Sequence, residues 1–421
     1  MPNIPSRNVS FWMPVIFSIG FVVRVALILF TFRRGPSRLE PFMIALSLAN
    51  HGTYADAYGA SVGPTAHTMP FLPIVLAIII RVAGAGSVGR LIASILAAIV
   101  GAAAFALLPE LSTKCQLGKL PGVTAGLIGA IAPVNYWAQT VGVFDAPYTM
   151  LGLTALCIVL SGYWIREFFP TRGALSLGVL SGVVCLINPT ILQVLFGWTV
   201  FGVLRFKRNR IAFSKFMATV AVLIVILLSP WAFRNFKTFG QVVWTRSNFG
   251  LELQVSNNDH ATADLERNVR SPDFVHPYTQ PKEREKVRQI GELSYQQAKK
   301  KEALMWIYNH PAEFMRLVLL RIFFFWFPPM ERWWQSFAEA LMTVLAIAGL
   351  IHMFKKNHPS FWMFLAILVF YPAVYAVVQV SPRYRCPIEP ILLLLGCFFC
   401  IDLRNVFRGD RWMRESIDDE I

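Results

Sequence analysis

About ten apolar segments, each near the length that a helix needs to cross a bilayer, recur along this chain. Because the hydrocarbon core offers no water to backbone groups, such segments can only be stable there as helices or closed barrels. Hydrophobic residues make up 55% of the 421 and charged residues 15%, more apolar surface than a soluble domain could bury. We therefore predict an all-α polytopic membrane protein. The predicted spans are 12–32, 88–108, 120–137, 147–165, 174–187, 189–204, 216–233, 337–354, 361–380 and 387–401.

The distribution of charge predicts the orientation of these spans. The chain has 39 Lys and Arg residues against 24 Asp and Glu, and the basic residues fall mainly in short loops between apolar runs. Cytoplasmic loops collect Lys and Arg, so this excess reports topology and does not indicate a nucleic-acid partner. If the apolar stretches 69–82 and 314–327 lie at the membrane interface and do not cross the bilayer, all the basic loops share the cytoplasmic side. Both termini are then cytoplasmic. Arg33, Arg34 and Arg38, placed outside, are the exception.

The same topology divides the chain into parts and gathers its polar chemistry on one face. We expect juxtamembrane helices in the first outer loop and a small, mostly helical outer-face region. The six cysteines lie in or beside spans, which predicts neither a disulfide framework nor a metal site. No endoplasmic retention signal is evident, so we expect the plasma (inner) membrane. The parts are an N-terminal transmembrane module at 1–233 with the first outer loop at 33–87, an outer-face region at 234–310, a C-terminal transmembrane module at 311–403 and a cytoplasmic tail at 404–421.

Three carboxylates near the predicted membrane surface are candidate site residues. Glu40 begins a short predicted helix over 39–49, where the helix dipole favours an acid and partial desolvation would suit a general base. Asp145 lies where two spans meet; it is either a catalytic acid or the N-cap of the helix that begins at Pro147, and it can be both. Asp56 is a possible substrate-binding residue, although its sequence context favours a turn.

Two arginines open the last predicted span and are candidates for binding phosphate. Arg383 and Arg385 flank Tyr384 just before a helix that enters the membrane, and guanidinium groups at that depth suit a phosphate at headgroup level. The alternative is ordinary snorkelling to lipid phosphates. No glycine-rich phosphate loop and no metal-spaced His/Cys set is present, so neither a nucleotide domain nor a bound metal is expected.

In their order along the chain, these pieces resemble a GT-C glycosyltransferase, the membrane group that includes protein O-mannosyltransferases and the lipid A aminoarabinose transferase. The resemblance covers most of the chain. Where the family commonly has an Asp-rich or Asp-Glu start to the first loop, this sequence has one acid followed by a proline. The matching segments are 40–49, 52–56, 63–73, Asp145, 230–235 with Phe239 and Gly240, 309–311 with Phe314 and Arg321, and the Arg383-Tyr384-Arg385-Cys-Pro-Ile-Glu-Pro run at 383–390.

The resemblance implies a function and roles for the candidate residues. The chain would move a sugar from a polyprenyl-phosphate donor to a lipid, glycan or protein acceptor on the outer face, with inversion. Glu40 or Asp145 would activate the acceptor, while Arg383, Arg385 and His67 would hold the donor phosphate. Because arginines can balance a lipid monophosphate, no metal and no cofactor is expected. The substrate tunnel would lie between the first outer segment and the outer-face region.

Two other classes of function remain open on the sequence. A multi-span transporter or lipid flippase would place ionisable groups near the midplane and often shows inverted halves, whereas here the acids gather at one face and the halves differ. A non-catalytic GT-C-like scaffold is the other alternative, because the first loop carries a reduced acidic motif.

Overall fold

The structure is a computed structural model that describes residues 7–31, 39–271, 274–329 and 333–407, so that Arg33, Arg34, Arg38 and the tail beyond residue 407 lie outside it. Within the described ranges the chain forms helices and no β-strand. The helices are α1 Arg7–Thr31, α2 Glu40–His51, α3 Phe71–Ala83, α4 Ser87–Ala106, α5 Leu108–Lys114, α6 Lys119–Ile131, α7 Tyr136–Thr140, α8 Ala146–Arg166, α9 Thr171–Ile187, α10 Ile191–Arg205, α11 Arg210–Phe239, α12 Phe249–Ser256, α13 Leu265–Arg270, α14 Pro281–Ile290, α15 Glu292–Asn309, α16 Pro311–Trp326, α17 Trp333–Lys355, α18 Phe361–Phe370, α19 Ala373–Val377, α20 Pro382–Arg385 and α21 Glu389–Phe407.

The described helices are those of an integral membrane protein. Six helical segments are long and apolar enough to cross a bilayer, and shorter apolar helices lie between them. The predicted all-α polytopic class is thereby confirmed. The long segments are Ser10–Thr31, Ser87–Lys114, Ala146–Arg166, Arg210–Phe239, Trp333–Lys355 and Pro382–Asn405; the shorter ones are Phe71–Ala83, Lys119–Ile131, Thr171–Ile187, Ile191–Arg205 and Phe361–Val377.

The basic loops meet at one end of the helical bundle. The Ser360 hydroxyl donates to the backbone carbonyl of Cys115 at 3.0 Å, which joins the loop after α17 to the loop after α5. Arg205, at the end of α10, donates to the carbonyl of Pro359 and lies 3.6 Å from Glu167 in the loop after α8. These contacts bring together, at one end of the bundle, basic loops that the charge pattern had assigned to a common side of the membrane.

The segments with polar chemistry meet at the opposite end, which we call the polar end and define as 52–70, 136–146, 240–310 and 378–385. The amide of Ala66 donates to Glu292 Oε1 at 2.7 Å, joining the first loop to α15. Arg246 donates to Asp145 at 2.7 Å, joining the segment after α11 to the start of α8. The long helix α11 runs from the end with the basic loops to the polar end. There its residue Arg234 donates to the carbonyl of Thr65 at 2.7 Å.

Helices α3 and α16, which cover the two stretches predicted to be interfacial, are both tied to neighbouring segments by an arginine. Arg81 in the last turn of α3 donates to the carbonyl of Ala49 at the end of α2, at 3.1 Å. Arg321 in α16 is fully buried and donates to Asn257 Oδ1 and to the carbonyl of Val377, each at 3.1 Å. Both arginines therefore have the packing role that is the simplest interpretation of a cation in an apolar stretch.

Candidate functional site

The first wall of the site is the start of α2. Proline fits the first turn of a helix, where no backbone donor is needed, and Pro41 follows Glu40 there. The helix ends at Gly52, which adopts the left-handed conformation with φ 68°. Its apolar face is buried through residues such as Phe42 and Ile44, and this fixes Glu40 at the end of the helix that faces the site. The predicted helix over 39–49 is thus observed as Glu40–His51.

A cavity of about 860 Å³ lies against this wall, at the polar end. Its lining combines polar and apolar side chains, which is the character expected of a pocket for a lipid with a charged head. Four of the six predicted site residues line it: Glu40, His67, Asp145 and Arg383. The apolar lining residues include Leu72, Ile187, Leu192, Val374 and Val378; the polar ones also include Arg246, Glu252, His276 and Tyr384.

Asp145 lies at the start of α8, and its side chain does not cap the helix. Its carboxylate instead accepts a hydrogen bond from Arg246 at 2.7 Å, and the two side chains are 30% and 27% exposed. Asp145 therefore occupies the N-cap position without forming the side-chain hydrogen bond of a cap, and its carboxylate lines the cavity.

Arg383 contacts two aromatic rings. Its guanidinium carbon lies 5.1 Å from the centre of the Phe144 ring and 5.0 Å from that of Tyr384, and its Nη2 donates to the Tyr384 hydroxyl at 3.1 Å. The Tyr384 ring in turn stacks on Tyr375 with 4.6 Å between centroids. These two ring contacts and the hydrogen bond restrict the orientation of the guanidinium, which suits recognition of an anion.

The carboxyl group of Glu40 is poised to exchange a proton near neutral pH. Burial raises the pKa of Glu40 to about 7, while the charge of Arg383 acts in the opposite direction. Burial likewise raises the pKa of Glu252 in α12, again against the charge of Arg383. A group that titrates near the working pH can both take and give a proton, as a general base must.

His67 lines the cavity as a neutral ring. Its Nδ1 lies 2.9 Å from the Tyr58 hydroxyl, and the ring is buried. Burial lowers the pKa of His67 to about 3, and the charges of His276 and Arg246 act in the same direction. His67 can therefore contribute a hydrogen bond to a phosphate but no positive charge.

Asp56 and Arg385 lie away from the cavity. Asp56 has φ 66°, and its carboxylate accepts from the amides of Val62 and Gly63 at 2.9 and 3.0 Å, so it organises a turn of the first loop. The guanidinium of Arg385, 1% exposed, donates to the carbonyls of Trp326 and Glu339 at 2.8 and 2.7 Å. The structure thus separates Arg385 from Arg383.

The sequence analysis missed Arg246, Glu252 and His276. All three lie within the region 234–310, which is rich in charges, so none of them stands out there by residue type. The sequence did carry one signal for Glu252, which is an acid between two leucines. Leu251 and Leu253 are both buried in the short helix α12. Among the residues that the structure describes, no group of three or more His, Cys, Asp or Glu could hold a metal ion.

No protein-family model matches the sequence, and no curated protein matches it. Solved structures do match. The archaeal oligosaccharyltransferase AglB from Archaeoglobus fulgidus, in complex with an inhibitory peptide and a dolichol-phosphate, has a TM-score of 0.55 over 95% of this chain and 51% of its own, at 15% identity. The chain has the GT-C fold.

Two more structures of the A. fulgidus oligosaccharyltransferase support this assignment of the fold. The apo form gives a TM-score of 0.53 at 13% identity, over 97% of this chain and 52% of that one. The complex with Zn and sulfate gives 0.53 at 14% identity, over 96% and 51%. At these identities the likeness establishes the GT-C fold alone, and the chain spans about half the length of the structures that it matches.

Proposed function

We propose that this protein is a membrane glycosyltransferase that moves a sugar from a polyprenyl-phosphate donor to a lipid, glycan or protein acceptor. The observation that carries the proposal is the cavity, whose lining combines apolar side chains suited to an isoprenoid with carboxylates and arginines. The related fold of an oligosaccharyltransferase solved with a dolichol-phosphate supports the same class of ligand. The active site would lie on the outer face of the plasma membrane, with both termini in the cytoplasm, as the basic loops favour.

In the proposed reaction, the acceptor oxygen attacks the anomeric carbon of the sugar. The bond between that carbon and the phosphate oxygen breaks, and its electron pair leaves with the lipid phosphate. Glu40 takes the proton of the acceptor, and Arg383 and Arg246 stabilise the charge that develops on the phosphate. Attack opposite the leaving group inverts the anomeric configuration. His67 donates a hydrogen bond to a phosphate oxygen.

We propose further that the arginines take the place of a divalent cation. A monophosphate leaving group gains one negative charge as the bond breaks, and bidentate guanidinium contacts are well suited to that charge. Activity of protein freed of metal with EDTA is expected to equal that of untreated protein. Restoration of a lost activity by Mg²⁺, Mn²⁺ or Zn²⁺ would contradict this part of the proposal.

The function is tested by release of sugar from a panel of radiolabelled polyprenyl-phosphate sugars by the purified protein. Glu40→Gln is expected to lower the rate about 100-fold or more, since general-base catalysis typically contributes that much. Arg383→Gln is expected to lower it as strongly, because it removes a cation from the phosphate site. Glu285→Gln and Arg316→Gln are matched controls in exposed ion pairs and should retain activity. Absence of release with every donor by wild-type protein would refute the proposal.

A transporter or lipid flippase is the second candidate, and a buried polar network favours it. Within the bundle Arg24 donates to Gln139 at 2.6 Å, and Gln139 donates to Glu389 at 3.2 Å. Ionisable residues inside a membrane bundle often mark an ion or substrate path. Movement of a labelled lipid across proteoliposomes, together with no sugar release, would favour this candidate.

A further inference from the structure

Two arginines that line the cavity, Arg383 and Arg246, are held in different ways. Arg383 lies against the rings of Phe144 and Tyr384, as described above. Arg246 lies in the segment between α11 and α12, where the backbone on either side is fixed: the carbonyl of Thr245 accepts from the Trp231 indole at 2.8 Å, and the amide of Ser247 donates to the carbonyl of Ala66 at 3.0 Å. Its long side chain carries one hydrogen bond, to Asp145, and its Nε is buried without a partner among the described residues.

The pair formed by Arg246 and Asp145 is suited to exchange. Both side chains line the cavity and are about one-quarter to one-third exposed, and a partly exposed ion pair contributes only about 0–1 kcal/mol. A phosphate offers a guanidinium two parallel charge-assisted hydrogen bonds, which are stronger than a single bond to a carboxylate. A phosphate that enters the cavity can therefore displace Asp145 from Arg246.

We propose that Asp145 and the donor phosphate compete for Arg246, so that binding of the donor releases the Asp145 carboxylate to position the acceptor. This inference rests on the proposed function and adds to it an order of events. Arg246 contacts the donor phosphate, whereas Asp145 affects donor binding through Arg246 and, once released, contacts the acceptor. The acceptor then meets a free carboxylate only when a donor is in place.

The exchange also fits the charge changes of the proposed reaction. The donor is a phosphodiester with one negative charge, and the departing lipid phosphate is a monoester that carries close to two. An arginine that has moved onto the phosphate therefore binds the departing group more strongly than the donor, which is the condition for lowering the barrier. Its return to Asp145 after the lipid phosphate leaves resets the site.

Equilibrium binding of a polyprenyl monophosphate to the purified full chain tests the competition directly. Asp145→Asn removes the competitor and is expected to tighten binding about twofold to fivefold, the equivalent of an ion pair of up to about 1 kcal/mol. Arg246→Gln is expected to weaken binding about tenfold. Arg246→Lys keeps the positive charge but loses the pair of parallel donors of the guanidinium, and it should weaken binding less than Arg246→Gln does.

The double variant separates exchange from a general effect of charge. If Asp145 acts through Arg246, adding Asp145→Asn to Arg246→Gln should change the affinity little. Tightening of the same size in both backgrounds would mean that Asp145 merely repels phosphate at a distance, and the inference would fail. Unchanged or weaker binding by Asp145→Asn, with wild-type protein binding well, would also overturn it while leaving the proposed function intact.

Two further binding measurements identify which lipid supplies the phosphate and whether a negative result contradicts this inference alone or the proposed function as well. Phosphatidic acid carries the same phosphate monoester on a phospholipid, and we expect weaker binding of it that changes little among the variants. An equal response would assign the exchange to a membrane phospholipid and overturn the donor's role. If wild-type protein binds no polyprenyl phosphate at all, the proposed function falls, and this inference falls with it.

Discussion

Replacement of Glu40 by glutamine should stabilise the protein while it abolishes catalysis, and the stabilisation should depend on pH. Burial raises the pKa of Glu40 to about 7 from an ordinary value of 4.5. The folded state therefore holds this proton more tightly than the unfolded state does. Stability consequently falls as the pH rises from the ordinary value to the raised one, and it changes no further above that.

The magnitude follows from the difference between the two pKa values. At about pH 8 both states are ionised, and 2.5 pKa units at 1.36 kcal/mol each correspond to a penalty of about 3 kcal/mol. At about pH 5 the folded group is protonated, and the penalty is only about 1 kcal/mol. Because a glutamine side chain cannot ionise, Glu40→Gln should gain roughly 2 kcal/mol more at the higher pH.

Thermal unfolding in detergent, followed by tryptophan fluorescence, measures this difference. For a chain of this size we expect Glu40→Gln to raise the Tm by about 2–5 °C more at pH 8 than at pH 5. Glu285→Gln, which removes an exposed carboxylate, is the control. Equal shifts for Glu40→Gln at the two pH values, or a larger one at pH 5, would show that Glu40 is not desolvated in the folded protein and would remove the physical basis for its role as base.

Three other substitutions, the first with Gly162→Ala as its control, test contacts that hold the fold and the site in place. Gly142→Ala should lower both Tm and kcat, since a Cβ there would lie 2.3 Å from the backbone of Ala93 and would displace the turn before Asp145; in Gly162→Ala, where nothing lies within 4 Å, the helix should gain about 0.5–1 kcal/mol. Asp56→Ala should cost about 1–3 kcal/mol in a denaturant or thermal assay, because two backbone amides lose their acceptor. Arg24→Met should lower the Tm at every pH, because buried acceptors lose a charged donor.

The spans could be predicted from the sequence because their apolar runs are long, local signals. The predicted segments 174–187 and 189–204 correspond to α9 and α10, and the break between them falls at Asn188, whose side chain accepts from the amide of Thr190 at 3.0 Å. Finer interruptions were harder to predict. The predicted span at 361–380 divides into α18 and α19 near Pro372, which has no amide hydrogen to continue the first helix.

The site was partly predictable for a related reason, since polar residues stand out in apolar surroundings. The separation of Arg383 from Arg385 follows from helix geometry: both lie in α20, and residues two apart on a helix point in very different directions. Only one of the two can face the cavity. Arg246 could not be chosen from the sequence, because its partner Asp145 is distant in the chain and only the fold brings the two together.

The contrast between Glu40 and Asp145, two of the acids that line the cavity, separates their roles. Asp145 accepts a hydrogen bond from Arg246 at 2.7 Å and is about one-third exposed. Burial raises the pKa of Glu40 to about 7, so its protonation changes near neutral pH. A carboxyl group whose pKa is tuned toward neutrality is suited to acid–base work. Glu40 is therefore the group suited to take the acceptor's proton, and the rate of sugar release at limiting substrate should rise from about pH 5 to pH 8 as it ionises. A rate that falls over that interval would reverse the assignment.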